Sequence, residues 1–436
     1  MLSNVIEKSL RIFPILFFPI SGAKECFVGL RRLGFRRLGL HNRGLHHIGF
    51  TALLFSAATF AVQAPDEPAL VCEFDGVVID IDFEAGNIES CHKSKNNNLI
   101  LGVSPEKTPI NMSPWYAFRI RAESPRTLKV VLKYSEHSHR YKPKISADGV
   151  AWAELDASKI KLIRKNTMAS LTLDVGPEPL WVAGQEIIDN NFYRSWMQAL
   201  GQRDGLQYKL LGKSAQGRDI GLLRTVPGEQ RKAVLFVGRQ HPPEVTGALA
   251  MQAFMNRVFA ADELATSFRN TFAVLMVPNL NPDGVAQGHW RFNTGGLDLN
   301  RDWGPFTQPE TQLMRDLLLD FQRPESARLS LFLDFHSTYE DVFYTQPDAI
   351  PISMPAFTET WLTNIEKRIQ RKLPGFKINR DAAHNPGLPT SKTYVYSTFG
   401  IPAITFELGD NTDRRFIRVY ATIAAEEMMS LLLKEA

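Results

Sequence analysis

From residue 65 to about 176 the chain alternates apolar and polar positions with a period of two. Val77, Ile79, Ile81 and Phe83 interleave with Asp80 and Asp82, Tyr116, Phe118 and Ile120 with Arg119 and Arg121, and Leu128, Val130, Leu132 and Tyr134 repeat the pattern. A strand with one face on a core and one in water produces this alternation, and Asn, Pro, Gly and Ser clusters between the runs supply turns. A small all-β sandwich is predicted. After Pro177 the pattern changes: the runs 233–238, 271–277, 329–335 and 401–408 are apolar without alternation and read as strands buried on both faces. Between the first two, Gly247, Ala248, Met251, Phe254, Met255, Val258 and Phe259 lie on one stripe of a helix. Strands and helices in alternation predict an α/β sheet covered by helices on both sides. Ligands of such sheets bind beyond the carboxyl ends of the strands, so chemistry is sought just after each strand.

Length and composition fit two or three units: 436 residues, 44% hydrophobic and 22% charged, is ordinary globular usage at roughly 150 residues per domain. The expected division is a leader (1–64), a β-sandwich domain (65–176) and an α/β domain (177–436). No run reaches the roughly 20 apolar residues of a membrane-spanning helix. The net charge of +4 is uneven. Residues 1–64 carry eight Lys and Arg against two Glu, a surplus of six, which leaves the remainder at −2. A broad basic face for nucleic acid therefore loses its support. The arginine-rich start, the apolar stretch 48–62 and Val62-Gln63-Ala64 before Pro65 read as a signal peptide, with Arg36-Arg37 a weak hint of a twin-arginine route. Export to the periplasm or exterior is expected, with no stable membrane insertion once the leader is cut. Cys26 would leave with it. Cys72 and Cys91 then form an even pair, expected to be a disulfide, with two buried thiols as the alternative.

Chemistry-bearing residues collect where the strands end. The first buried run is followed by Gly238-Arg239-Gln240-His241-Pro242-Pro243-Glu244, whose prolines suit a strand-to-helix turn and whose His241 and Glu244 can face one point. His336 follows the third run. Two imidazoles and a carboxylate are a donor set for one catalytic zinc ion, which takes three protein ligands and a water. Glu407 sits inside the last apolar run, where an unpaired acid costs several kcal/mol. That environment raises its basicity and suits a general base. The pair Asn300-Arg301 offers guanidinium and amide donors for a carboxylate, whereas Arg291 alone reads as a surface residue. Asp298 can accept the free N–H of a zinc-binding histidine.

Taken together, His241/Glu244, Arg291, Asn300-Arg301, His336-Ser337 and Thr405-Phe406-Glu407-Leu408 resemble, in the same order, the zinc carboxypeptidase family. Leu211-Gly212-Lys213-Ser214-Ala215-Gln216-Gly217-Arg218 resembles that family's opening segment, so the likeness spans roughly 185–430. The β-domain ahead of it, with Trp115-Tyr116-Ala117-Phe118-Arg119, is similar to the cytosolic carboxypeptidase branch. The resemblance implies a mixed, mostly parallel sheet flanked by helices, with zinc on His241, Glu244 and His336 and Glu407 as base. It also implies that Arg291 stabilises the oxyanion and that Asn300 and Arg301 grip the terminal carboxylate of a peptide with a free C-terminus. The family's mobile tyrosine has no counterpart near Asn385, so that role is either unfilled or moved to Tyr394 or Tyr396. Lys392 falls at the base of the side-chain pocket and implies an acidic C-terminal residue such as Glu; a solvent-facing Lys392 is the other reading. Two further functions stay open: a zinc amidohydrolase acting on cell-wall γ-glutamyl peptides or acylated amino acids, and a peptide-binding module without catalysis.

Overall fold

The computed structural model describes residues 70–435, which belong to one compact unit beginning at Asp66. Two sheets form its N-terminal part. One has six strands, in the order Val71–Phe74, Val77–Asp80, Ala117–Ala122, Leu180–Ala183, Lys144–Ser146 and Ala153–Glu154. The other has five: Ser90–Lys93, Leu99–Val103, Arg126–Tyr134, Met168–Val175 and Ile160–Ile163. The inward positions of the period-two runs, among them Ile79, Leu101, Phe118, Ile120, Val130, Leu132, Leu171 and Leu173, make one core between the sheets. Phe83 lies outside a strand, because the chain turns after Asp80. The strand Leu180–Ala183 lies beyond the boundary expected at 176, yet it pairs with Ala117–Ala122 in the larger sheet. Cys72 and Cys91 are disulfide-bonded, with Cα atoms 6.4 Å apart, and the bridge joins one sheet to the other.

The second part is built on an eight-stranded mixed sheet. Its order is Leu206–Lys213, Asp219–Thr225, Phe272–Val277, Lys232–Gly238, Arg328–Thr338, Ala403–Gly409, Val342–Tyr344 and Arg380–Asp381. The four strands from Phe272–Val277 to Ala403–Gly409 are mutually parallel and correspond to the four apolar runs. Helices Val245–Val258, Phe357–Gln370 and Arg414–Lys434 cover one face through Met251, Phe254, Trp361, Met428 and Met429. Trp303, Phe306, Met314 and Val395 cover the other. The edge hairpin Leu206–Lys213/Asp219–Thr225 escapes the sequence pattern because only Leu206 of its outer strand is fully buried and the strand carries a register shift at Leu210/Gly212.

Two features of this packing place the site. The helix Val245–Val258 lies so close to the strand Arg328–Thr338 that a Cβ at Gly247 would collide with the backbone of His336. The sandwich core also runs on into the catalytic part, since Val245, Ala248 and Trp290 are buried in it. Among the described residues no helix is long and apolar enough to cross a membrane.

Candidate active site

His241 and Glu244 occupy a turn between the strand Lys232–Gly238 and the helix Val245–Val258, with Glu244 at the helix N-cap position. The chain enters this turn through Arg239, held in the left-handed region at φ 52°. The Arg239 guanidinium donates to Pro242 O at 2.8 Å, to Tyr193 Oη at 3.0 Å and to Ile188 O at 3.3 Å, which ties the turn to its surroundings. His336 arrives from the neighbouring parallel strand.

The three side chains converge. Glu244 Oε1 lies 2.7 Å from His241 Nδ1 and Oε2 lies 2.7 Å from His336 Nδ1, with the imidazole centroids 4.9 Å apart. One donor atom from each lies within 4.8 Å of the others, close enough to share a metal ion. The outer nitrogens are engaged: His241 Nε2 is 2.8 Å from Asp298 Oδ1 and His336 Nε2 is 2.9 Å from Asp334 Oδ2. A carboxylate on each Nε2 fixes the tautomer that presents the Nδ1 lone pair inward, the arrangement metal-binding histidines use.

The electrostatics favour a cation here. Burial alone would raise the Glu244 carboxyl, but the two imidazoles outweigh it and hold the group well below the usual carboxylate range. At Asp298 burial is likewise outweighed, by His241 and Arg291. Burial would lower His336, yet Asp334 and Glu244 drive its proton affinity well above that of an ordinary imidazole. A site whose acids hold protons on imidazole is one where a dication can replace those protons. The donor chemistry and the anchored tautomers both fit zinc.

A cleft of about 360 Å³ opens over these residues. Arg291, Asn300, Arg301, Lys392 and Glu407 line it together with His241, Glu244 and His336, while Asp298 stands behind His241. Glu407 is the register partner of His336 on the adjacent strand. Its Oε2 is shut off from solvent without a hydrogen-bond partner, and burial pushes the carboxyl up to about 8. Arg291 Nε donates to Asp298 Oδ2 at 2.7 Å. Asn300 Oδ1 accepts from Ser391 N at 2.9 Å, and Arg301 Nη1 donates to Asn300 O at 2.7 Å. Lys392 is buried, not solvent-facing. Its Nζ donates to Thr345 O at 3.0 Å and His384 O at 3.2 Å, and burial lowers its pKa to about 8.

Tyr394 and Tyr396 are not part of the cleft. Tyr394 packs edge-on to Phe306 at 4.9 Å and against Trp303, while Tyr396, on another face of the same helix, is buried in the same apolar cluster. The tyrosines that line the cleft are Tyr339 and Tyr344, the latter stacked on His384 at 3.8 Å. Sequence reading also passes over Asp334. This acid, inside an apolar strand, takes His336 Nε2, Gln240 Nε2 at 2.5 Å and Ser391 Oγ on one oxygen. Like Glu407, it is an acid within an apolar strand, and it is fully buried. Asp334→Asn is expected to weaken zinc binding about 10–100-fold through loss of the His336 anchor, measured by competition with a chromogenic chelator. Unchanged affinity would deny Asp334 that task.

The family model of zinc carboxypeptidases matches residues 193–428, and that of the cytosolic carboxypeptidase N-terminal domain matches 79–178. The chain belongs to the zinc carboxypeptidase family. Cytosolic carboxypeptidase 6 of Homo sapiens is 24% identical over 291 residues, covering 60% of this chain and 57% of that protein. Cytosolic carboxypeptidase 6 of Caenorhabditis elegans is 22% identical over 286 residues, covering 60% and 62%. The chain thus spans about three-fifths of the length of these relatives. Among solved structures, a metallo-carboxypeptidase from Burkholderia cenocepacia superposes with a TM-score of 0.68 at 18% identity, over 83% of this chain and all of that one. A metallo-carboxypeptidase from Pseudomonas aeruginosa, in complex with (2-guanidinoethylmercapto)succinic acid, gives 0.66 at 20% identity, over 82% and 99%. These likenesses show the zinc carboxypeptidase fold.

The names of the relatives overturn one expectation. They are cytosolic carboxypeptidases, which contradicts the periplasmic or secreted location inferred for this chain. That inference rested on charge and hydropathy in residues 1–64, a signal peptide by pattern alone, and the segment lies outside the described residues. Arginines followed by some fifteen apolar residues satisfy the pattern whether or not an export machinery reads them.

Proposed function

We propose that the cleft is the active site of a zinc metallocarboxypeptidase that removes one residue, preferably acidic, from the C-terminus of a peptide. The observation that carries this reading is the partnerless Oε2 of Glu407 beside the His241, Glu244 and His336 donor set. His241 Nδ1, His336 Nδ1 and the Glu244 carboxylate would hold one zinc ion. Bound there, zinc would supply Lewis-acid polarisation and water of lowered pKa.

The remaining work falls to the chain. Glu407, its proton affinity raised by burial, accepts the proton of the attacking water and passes it to the departing amine nitrogen. Arg291, aimed by Asp298, offers its guanidinium to the negative charge that develops on the scissile carbonyl oxygen. Asn300 has its Oδ1 occupied by Ser391 N, leaving the amide nitrogen to pair with Arg301 on the terminal carboxylate. A binding module without catalysis would leave Glu407 without a task, and no feature of the cleft favours γ-glutamyl or acyl-amino-acid substrates.

Side-chain preference rests on Lys392. Its ammonium is buried on two carbonyl oxygens with no carboxylate in hydrogen-bond reach, so an incoming Glu side chain supplies the missing countercharge. Peptides ending in Glu are therefore expected to be cleaved ahead of those ending in Leu or Arg, and removal of zinc by a chelator to stop all three. Lys392→Met should lower kcat/KM for the Glu peptide roughly a hundredfold, about 2–3 kcal/mol, while sparing the Leu peptide. An equal loss on both peptides would sink the Lys392 assignment alone. Cleavage that survives complete zinc removal would sink the hydrolytic mechanism.

A further inference from the structure

Arg291 sits on a loop that the catalytic part does not hold by itself. Its backbone N–H and those of both neighbours point at one carboxylate contributed by the sandwich. Glu106 Oε2 accepts from Trp290 N at 2.7 Å, and Oε1 accepts from Arg291 N at 3.0 Å and Phe292 N at 2.7 Å. The next residue, Lys107, donates from Nζ to Gly296 O at 2.8 Å and lies 5.8 Å from the centre of the Phe292 ring. Trp290 is wholly buried in the sandwich core. Adjacent residues of the sandwich thus grip both ends of the segment 290–296.

Three consecutive N–H groups directed at one spot form an anion-binding concavity, and each of these donors calls for an acceptor. Here the anion is the chain's own Glu106. The contacts continue inward: Arg291 Nε to Asp298 Oδ2, and Asp298 Oδ1 to His241 Nε2. Glu106 touches neither the cleft nor the metal donors, so anything it does for hydrolysis passes through the position of Arg291.

We infer that Glu106 is a positioning residue for Arg291, so that the β-sandwich is a working part of the hydrolytic site. This rests on the proposed function, because Arg291 needs a fixed aim only if a charge develops opposite it. Displacing a charge-stabilising group by about 1 Å costs on the order of a hundredfold in rate.

The test has two arms on the full chain, using Glu106→Ala and the shape-preserving Glu106→Gln. In hydrogen–deuterium exchange, the amides of Trp290, Arg291 and Phe292 are expected to exchange at least about tenfold faster in both variants, with the sheet strands unchanged. In steady-state kinetics on a peptide ending in Glu, kcat should fall about 10–100-fold, with zinc content retained and KM little changed. In an Arg291→Ala background the Glu106 substitution should cost nothing further, which a general structural defect would not reproduce. Unchanged exchange at 290–292 overturns the inference, and so does an equal loss of kcat in both backgrounds. A wild-type protein that is zinc-loaded yet releases no residue from any peptide defeats the hydrolase reading instead, and the exchange arm then decides whether Glu106 holds Arg291. If Glu106→Ala does not fold, Glu106→Gln carries both arms.

Discussion

Glu407→Gln is expected to lower kcat by roughly 10²–10⁴-fold while leaving zinc stoichiometry at its wild-type value. The amide keeps the size and shape of the acid but cannot take a proton from water. Glu407 is not one of the three converging donors, so its loss leaves the metal group complete. The acid's Oε2 has no partner that the new amide would deprive, and burial already favours the neutral form of the side chain. Folding should therefore tolerate the exchange. The measurement is kcat on a peptide ending in Glu, with metal content by atomic emission on the same sample. Wild-type turnover in this variant would remove Glu407 from the role of base.

The second large effect is at His336. His336→Ala removes one of three donors and the imidazole that bridges the Glu244 and Asp334 carboxylates. Zinc affinity should fall at least roughly a hundredfold, with activity at background. The variant should also be less stable by about 3–5 kcal/mol, because buried acids are left without a compensating charge. Chelator-treated wild type is the informative control, since His336 in it can still carry a proton between the two acids. Chelator competition and thermal melting read the two effects separately. Wild-type zinc affinity in His336→Ala would place the metal elsewhere.

What the sequence conveys about this site follows from distance along the chain. The four parallel strands are legible because burial on both faces leaves only apolar residues. An acid or histidine at the end of such a run then stands out, as His241, His336 and Glu407 do. Asp334 carries the same signal but is masked by His336 two residues later. Contacts made across the two parts of the molecule have no local pattern at all. Glu106 reaches residues about 185 positions away, and Arg140, which lines the cleft, donates from Nε to Asp410 Oδ2 at 2.7 Å, 270 positions on. In sequence both are ordinary charged residues of loops between strands. Tyr394 and Tyr396 illustrate the opposite error. Counting from Glu407 lands near Asn385, and whether a nearby helical tyrosine meets the cleft is settled by packing such as that of Tyr394 against Trp303 and Phe306.

The cross-strand pairing of His336 with Glu407 has a bearing on how the sheet finds its alignment. Along Ala403–Gly409 every second side chain, Ile404, Phe406 and Leu408, enters the apolar layer beneath the helices, where Phe406 stacks on Phe343 at 4.3 Å. A slip of one position would drive Glu407 into that layer among Phe343, Trp361 and Tyr420, at a cost of several kcal/mol for an unpaired acid. An all-aliphatic strand would carry far weaker instructions about its own phase. The residue proposed to move protons therefore also penalises mispairing while the chain folds.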